Sequence, residues 1–260
     1  MPAQLFILII FIIAIVAAVR FLGKKKVTVT DPLPTQLKKI LEEEVPFYQQ
    51  LTKERKTEFE ERAAAFLTKV KITGIKTKVE EIDRALIAAS AIIPIFNFPG
   101  WQYHNLNEVL LYPDSFDHEF QQQGEGRNIL GMVGSGAMNQ VMILSQFELR
   151  QAFSNETGKN NTAIHEFVHL LDKSDGEIDG LPEAFLGKQY IRPWLQLMQK
   201  KINEIHEDES DINPYGATNE AEFFAVASEY FFERPDLLKV KHPELYALLV
   251  KVFNPEKSNR

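Results

Sequence analysis

Apolar positions recur with a helical period along most of this chain. Between residues 37 and 71 the apolar side chains return every three or four positions, and Pro46 divides the region into two amphipathic stretches. Residues 82–93 are apolar and rich in alanine, which predicts a buried helix that ends at Pro94. Further helices are predicted around His165, over residues 191–205 and over residues 219–232.

Two short apolar runs predict strands, EVLLYP at residues 108–113 and QVMILS at residues 140–145. Between them lies a glycine-rich segment, residues 121–139, whose glycine spacing does not match the dinucleotide-binding pattern G-x-G-x-x-G. We interpret this segment as a mobile flap. Many helices and few strands together predict an α+β domain that is mainly helical and has a small sheet.

The amino-terminal end differs from the rest of the chain, because residues 5–19 contain no polar side chain. A helix from Ala3 to Leu22 would span roughly 30 Å at 1.5 Å per residue, about the thickness of a bilayer core. The positive charge follows this apolar run, at residues 24–26, whereas a signal peptide carries its charge in front. We therefore predict one retained transmembrane helix, residues 1–23, with a cleaved signal peptide of an exported protein as the alternative.

The lysines after the predicted anchor set its expected orientation. The positive-inside rule favours the cytoplasmic side for them, so we expect a single-pass protein of the cell membrane with its main domain in the cytoplasm. Residues 24–36 are polar, contain two prolines and predict a linker. Residues 37–260 are long enough for one domain, and a hydrophobic content of 45% is sufficient to build a core.

Charge and cysteine content narrow the classes of function. The formal net charge of −7 argues against nucleic acid as a partner, because binding phosphates requires a surplus of lysine and arginine. The sequence has no cysteine, which excludes disulfides, a cysteine nucleophile and thiolate metal sites. Any bound metal must therefore be held by histidine, aspartate and glutamate.

The segment TAIHEFVHLLD, residues 162–172, places His165 and His169 four positions apart with Glu166 between them. Positions four apart lie on one face of a helix, so both imidazoles can point at one metal ion. Glu166 is turned by about 100° from His165, which sets it beside the ion, where it can act as a general base toward water. The pattern His-Glu-x-x-His is typical of zinc metallopeptidases.

The composition of the helix around this pattern favours a metal site. The pattern alone arises by chance in roughly one or two of every two hundred chains of this length. The other residues from Thr162 to Leu171 are all uncharged, so the helix is expected to be buried. Two histidines and a glutamate in a buried helix are costly unless they bind something. A structural pair of histidines with satisfied hydrogen bonds is the alternative, and we favour the metal.

Zinc in a catalytic site takes three protein ligands and keeps a further position for water. In the pattern H-E-x-x-H-x-x-G-x-x-H the third ligand follows closely along the chain, and Asp175 would occupy that position here. However, Asp172 stands where the glycine that turns the chain belongs. Asp175 therefore remains a rival ligand, and Asp172 is a candidate to orient one of the histidines.

A glutamate from a later helix is the other source of a third ligand. The segment between Tyr215 and Pro235 offers Glu220, Glu222, Glu229 and Glu233. Glu222 and Glu229 share a face with the small residues Ala225 and Val226, which would allow close approach to the first helix. Alternatively, Asn219 is a helix N-cap and Glu222 its capping-box partner. Spacing does not decide between these two roles of Glu222.

Four segments together resemble the Mlc titration factor A family of zinc-dependent peptidases: TAIHEFVHLLD, YGATNEAEFFAVASEYFF, LIAASAIIPIFNFP and EVLLYPDSF. They occur in the order found in the family, and the similarity runs from about Leu37 to Phe253. The resemblance implies a zincin-like fold of the gluzincin type, similar to the catalytic domain of anthrax lethal factor. It also implies zinc as the cofactor, held by His165, His169 and Glu222, with Glu166 as the general base.

The same resemblance suggests further roles and partners. Tyr215 is a candidate to donate a hydrogen bond to the oxyanion of the reaction, with an ordinary packed aromatic as its alternative. Glu229 is expected to support the site rather than to bind metal. The family is linked to aminopeptidase-like cleavage of small substrates and to binding of the transcriptional repressor Mlc. The predicted membrane helix is a departure from the best-known members.

We therefore expect a membrane-anchored zinc peptidase that acts on a peptide or protein substrate. A substrate strand is expected to pair with a sheet edge formed by residues 140–145. The alternative is a membrane-tethered protein that binds a regulator and has a structural zinc and vestigial proteolysis; an intact Glu166 argues against it, because a structural site has no use for a base. The remaining histidines have no evident partners: His104, His118, His206 and His242.

Overall fold

Helices make up most of the structure. The computed structural model describes residues 32–115, 130–133, 139–155 and 157–254. Within these residues the helices are α1 (Thr35–Glu44), α2 (Pro46–Gln49), α3 (Lys53–Lys69), α4 (Glu81–Ile95), α5 (Gln146–Ser154), α6 (Thr162–Asp172), α7 (Lys188–His206), α8 (Glu220–Glu233), α9 (Pro235–Lys241) and α10 (Pro243–Phe253). The strands are β1 (Lys71–Gly74), β2 (Glu108–Tyr112), β3 (Gly131–Val133) and β4 (Val141–Ser145). The prediction of a mainly helical α+β architecture with a small sheet is confirmed.

Capping side chains mark the beginnings of three of the helices, α3, α6 and α8. The Thr52 side chain accepts a hydrogen bond at the start of α3, and Asn161 and Asn219 do the same for α6 and α8. Each cap satisfies a backbone N–H that has no partner inside its own helix. The starts of the two helices that carry the candidate site are therefore encoded locally.

The buried helix α4 ends one residue later than the sequence predicts. Pro94 lies inside α4, whose last residue is Ile95. The guanidinium of Arg62 donates hydrogen bonds to the carbonyls of Ile95 and Phe96, at 2.9 and 2.8 Å. These bonds satisfy carbonyl groups at the helix end that have no partner inside the helix.

Within the described residues the sheet has four strands in the order β1-β2-β4-β3. Strands β1, β2 and β4 are parallel, and β3 runs antiparallel to β4 with Met132 opposite Ile143. The prediction that residues 140–145 form a sheet edge is wrong, because β4 pairs with β2 on one side and β3 on the other. The edge belongs to β3, which lies in the predicted flap and is too short to show an alternating pattern.

The core is built around α4, which is apolar on every side and buried along almost its whole length. Helix α4 contacts α1, α3, α5 and α6. Helix α6 is in turn packed against α8, and all its residues from Ala163 to Asp172 are buried. The sequence pattern does not predict the short elements β1, α5, α9 and α10. Helix α6 thus lies between the core helix α4 and the later helix α8.

The predicted membrane anchor, residues 1–23, lies outside the described residues and stays a prediction, as does the linker that follows it. In the part of the chain that the structure describes, none of the helices combines the length and the apolar character needed to cross a bilayer. The predicted flap also falls largely outside these residues.

Asp211 joins the loop before α8 to the helices around it. Its carboxylate accepts hydrogen bonds from the Tyr230 hydroxyl at 2.9 Å, from Lys241 Nζ at 2.9 Å and from Lys159 Nζ at 3.1 Å. It also lies 2.8 Å from His242 Nε2, so this buried histidine has a partner, contrary to the prediction, because the two residues are distant in sequence. Burial alone would raise the pKa of Asp211, but these contacts lower it well below its ordinary value.

Replacing Asp211 with asparagine should lower the free energy of unfolding by about 1–3 kcal/mol at pH 7, because its donors lose a charged acceptor. Since the folded-state pKa is lowered, the contribution of the carboxylate is complete above its unfolded pKa of about 4 and is lost as pH falls below that value. Urea unfolding at pH 7 and pH 3 measures both effects, with the exposed Glu207→Gln as control. An equal loss at both pH values would contradict the assignment.

Candidate metal centre

Helices α6 and α8 bring three metal-binding side chains together. Nε2 of His165, Nε2 of His169 and a carboxylate oxygen of Glu222 all lie within 4.8 Å of one another. His165 Nε2 is 2.9 Å from Glu222 Oε2 and 3.0 Å from His169 Nε2, and His169 Nε2 is 3.4 Å from Glu222 Oε2. The three residues that the resemblance implies as ligands therefore meet, although Glu222 follows His165 by 57 residues.

The chemistry of these donor atoms fits a divalent cation. His165 Nδ1 lies 2.7 Å from Glu229 Oε1, and donating its proton to that carboxylate leaves the lone pair of Nε2 facing the other two ligands. Unprotonated imidazole nitrogens and a carboxylate oxygen this close together repel one another unless a proton or a metal cation lies among them. Ligands of a tetrahedral zinc ion are about 3.3–3.6 Å apart, close to the spacing of these atoms.

The surrounding carboxylates favour positive charge at the same place. Burial alone would lower the pKa of His165, but its hydrogen bonds with Glu222 and Glu229 raise it to about 10. Burial would raise the pKa of Glu222, but hydrogen bonds with His165 and His169 lower it to about 2. A negative field that stabilises a protonated imidazole also stabilises a bound metal ion.

Glu166 lies beside the three ligands and is 6% exposed. Burial raises the pKa of its carboxyl group, while the nearby rings of His165 and His169 act in the opposite direction. A carboxylate with a raised pKa is better suited to accept and return a proton near neutral pH than an ordinary glutamate.

The edge strand β3 approaches Glu166 closely because residue 131 is a glycine. A Cβ atom on Gly131 would lie 2.8 Å from Cγ and Oε1 of Glu166 and 2.9 Å from Cγ2 of Thr162. Contacts this short would force Glu166 or the strand to move. Sequence reasoning missed this role of Gly131, because one glycine among several in a glycine-rich segment carries no specific signal.

Glu229 supports the site from behind His165. Its Oε1 contacts His165 Nδ1, and its Oε2 accepts a hydrogen bond from the backbone N–H of Asn161. The side chain of Asn161 caps α6 and also donates to Glu233 Oε1 at 2.8 Å. Asn161 thus fixes both the start of α6 and the position of the Glu229 carboxylate behind His165.

The two aspartates after His169 do not take the predicted roles. Asp172 Oδ2 accepts a hydrogen bond from the backbone N–H of Gly180 at 2.8 Å. Asp172 Oδ1 and His169 Nδ1 are both buried without a hydrogen-bond partner among the described residues, so no bond from Asp172 orients the ring. Asp175 lies exposed in a 3-10 turn and is not part of the ligand cluster, because the chain leads it away from the helix face.

The backbone of Glu222 takes part in the N-cap of α8, and its side chain approaches the two histidines. Its backbone N–H donates to Asn219 Oδ1 at 2.9 Å, so Asn219 is the N-cap of α8. The side chain of Glu222 faces His165 instead of turning back to Asn219, so the reciprocal bond of a capping box is not made. The cap thus places the carboxylate at the head of α8.

Tyr215 lies next to the candidate centre, with its ring centroid 5.9 Å from that of His165. It is 54% exposed, and its hydroxyl has no hydrogen-bond partner within the described residues. Burial, followed by the charges of Glu222 and Glu166, raises its pKa, so the hydroxyl keeps its proton. An accessible phenol that remains protonated is a suitable hydrogen-bond donor to a ligand.

Two cavities meet at the candidate centre. One has a volume of about 420 Å³ and runs along α5; the other, of about 650 Å³, lies at the start of α8. Gly131, His165, Glu166 and Tyr215 line both of them. A chain-like molecule that lies across the centre would therefore occupy both cavities.

Comparison with known proteins identifies the family. The family model described as glucose-regulated metallo-peptidase M90 matches residues 20–254. This chain belongs to that family. The resemblance seen in the sequence is therefore confirmed, and the family is one of metallopeptidases.

Individual relatives align with most of this chain. The chain is 30% identical over 190 residues to Mlc titration factor A of Pectobacterium atrosepticum, and the alignment covers 68% of this chain and 69% of the relative. The protein of the same name from Escherichia fergusonii is 29% identical over 213 residues, or 78% and 80% of the two chains. An uncharacterized protein of Synechocystis is 28% identical over 243 residues, or 85% and 84%.

Replacing Glu229 with glutamine should weaken zinc binding about 10- to 100-fold, because His165 loses the charge that orients its ring and raises its basicity. Competition with a chelator of known affinity measures this change in the full chain. The exposed Glu244→Gln serves as the matched control and should bind zinc as the parent does. Unchanged affinity in Glu229→Gln would remove Glu229 from the metal site.

Proposed function

We propose that this chain is a zinc-dependent peptidase of the gluzincin type, with His165, His169 and Glu222 as the metal ligands. The observation that carries the proposal is the convergence of these side chains within 4.8 Å, with Glu166 buried beside them. A set of two nitrogens and one oxygen suits zinc, and it is a donor set used by catalytic sites. Membership in a metallopeptidase family supports the same conclusion.

In the proposed reaction the side chains move the protons and stabilise the charge. Zinc bound at this centre supplies a Lewis acid that polarises a carbonyl and lowers the pKa of water. Glu166 accepts a proton from the attacking water and returns it to the leaving amine. Tyr215 donates a hydrogen bond to the carbonyl oxygen as negative charge develops there. Glu229 keeps the His165 ring in one orientation.

The peptide is proposed to bind in an extended form beside β3. This strand is at the edge of the sheet, so its outer backbone groups can pair with a peptide. Gly131 of β3 lies against Glu166, which would bring a paired peptide bond close to the base. Strand β4, the edge expected from the sequence, cannot take this role because both its sides are paired.

Partners and location are further parts of the proposal. The relatives from Pectobacterium atrosepticum and Escherichia fergusonii carry the name Mlc titration factor A, and a transcriptional repressor is therefore a proposed partner of this chain. Aminopeptidase-like cleavage, a single membrane anchor at residues 1–23 and a catalytic domain on the cytoplasmic side are likewise proposed. A purely structural zinc is less well supported, because structural sites use four protein ligands and the described residues bring three together.

The roles of base and ligand can be separated by two substitutions. Glu166→Gln should retain zinc and lose peptide hydrolysis by at least about 100-fold, because the amide cannot accept the proton. His165→Ala should lose both, since a ligand is removed. Metal content and cleavage of a quenched fluorescent peptide measure the two properties, with the exposed Glu183→Gln as control. Full hydrolysis by Glu166→Gln would exclude its role as the base.

Tyr215→Phe removes one hydroxyl from the site. We expect kcat to fall roughly 10- to 100-fold with little change in KM or zinc content, because the lost hydrogen bond forms mainly in the transition state. Steady-state kinetics on the same fluorescent peptide tests this. An increase in KM at constant kcat would show instead that Tyr215 only binds the substrate.

A further inference from the structure

One carboxylate in the cavity along α5 has no partner. Helix α5 and its C-cap turn one face, at positions i, i+3, i+4 and i+7, toward this cavity: Glu148, Gln151, Ala152 and Asn155. The candidate metal ligand His165 and the proposed base Glu166 line the same cavity. Within the described residues, the side chain of Glu148 makes no hydrogen bond and no ion pair.

The sheet explains why Glu148 is free. Ser145 and Glu148 have the spacing of a capping box, and Ser145 Oγ accepts a hydrogen bond from the Glu148 N–H at 3.2 Å. The reciprocal bond would need the Ser145 N–H, but that group donates to the Leu130 carbonyl at 2.9 Å. Leu130, the residue before β3, thus accepts the hydrogen bond from Ser145 that the glutamate of a capping box would accept. The carboxylate of Glu148 lines the cavity instead.

Both cavities at the centre are negative. Among the described residues that line them there is no lysine and no arginine. The acidic residues of the cavity along α5 are Glu148, Glu166 and Glu229, and those of the other cavity are Asp179, Glu220 and Glu222. In the first cavity Glu229 is bound to His165 and Glu166 lies against the histidines, whereas Glu148 has no such neighbour. Among the described residues no lysine or arginine faces Glu148 in this cavity, so a cationic group of a ligand can take that place.

The surroundings of Glu148 also suit a ligand that carries a cation. Burial and the nearby Asp114 raise its pKa, and both effects would be offset by a bound positive charge. Gln151 and Asn160 line the same cavity, and their amide oxygens can accept the remaining N–H groups of an ammonium or guanidinium. The volume of about 420 Å³ is within the range of small-ligand pockets.

We propose that Glu148 determines the specificity of this peptidase by binding a cationic group of the substrate in the cavity along α5. The group is an ammonium or a guanidinium, supplied either by a lysine or arginine side chain near the scissile bond or by the free amino end of the peptide. This inference rests on the proposed function and adds its substrate class. A site built around an unpaired carboxylate discriminates against a neutral ligand, because the charge then stays unpaired.

Matched peptides test the proposal on the full chain loaded with zinc. The peptides differ only in having lysine, arginine or glutamine at positions flanking the cleaved bond, and each is made with a free and with an acetylated amino end. We expect kcat/KM to be at least tenfold higher for a cationic than for a neutral peptide. If the preference survives acetylation the cation is a side chain, and if it requires the free amino end the cation is the terminal ammonium.

Substitutions at Glu148 then assign the preference to this residue. Glu148→Gln keeps the size of the side chain and the backbone cap, and it should reduce the ratio of kcat/KM for cationic and neutral peptides at least tenfold. Glu148→Lys should shift the preference toward a peptide with glutamate at the same position. Glu183→Gln, an acid-to-amide change at an exposed position that lines neither cavity, is the matched control and should keep the original ratio.

Two results would overturn the inference. One is a wild-type enzyme that cleaves neutral peptides as well as cationic ones, and the other is a cationic preference that persists in Glu148→Gln. Either result leaves the proposed peptidase function intact. Failure to cleave any peptide, with zinc bound, would instead refute the peptidase function and the inference that rests on it.

Discussion

The packing of α6 against α8 is the constraint on which the candidate site depends. Two ligands come from one turn of α6 and the third from the first turn of α8, so a small shift between the helices would separate the donor atoms. Ala225, a small buried residue on the face of α8 that carries Glu222 and Glu229, allows the close approach. The bond between His165 and Glu229 and the hydrogen bonds that Asn161 donates to Glu229 and Glu233 hold the two helices in register.

The sheet contributes to the site through its edge. Strand β3 has only three residues, yet its glycine lies against the proposed base and its neighbour Leu130 occupies the Ser145 N–H. The first contact limits where Glu166 can lie, and the second leaves the carboxylate of Glu148 in the cavity. One short strand therefore influences both the proposed chemistry and the proposed choice of substrate.

Tertiary contacts change two helix-capping motifs of this chain in the same manner. Two capping boxes are suggested by spacing, at Asn219 with Glu222 and at Ser145 with Glu148. In each, the cap residue accepts its expected hydrogen bond, but the glutamate side chain turns away. A buried ligand cluster draws Glu222, and strand pairing displaces Glu148. Each helix start is still set by a neighbouring side chain, while the glutamate carboxylate becomes available to groups that are distant in sequence.

Sequence alone determined the long amphipathic helices, the cap of α8 and the histidine pair with its glutamate, because periodicity and capping act within a few residues. It also showed the family, whose motifs are long enough to be specific. It left Glu222 with two possible roles and wrongly assigned the sheet edge to residues 140–145. It also overlooked the partner of His242 and the approach of Gly131 to Glu166. Only the tertiary structure decided these points, because each depends on contacts between segments far apart in the chain, which no local pattern records.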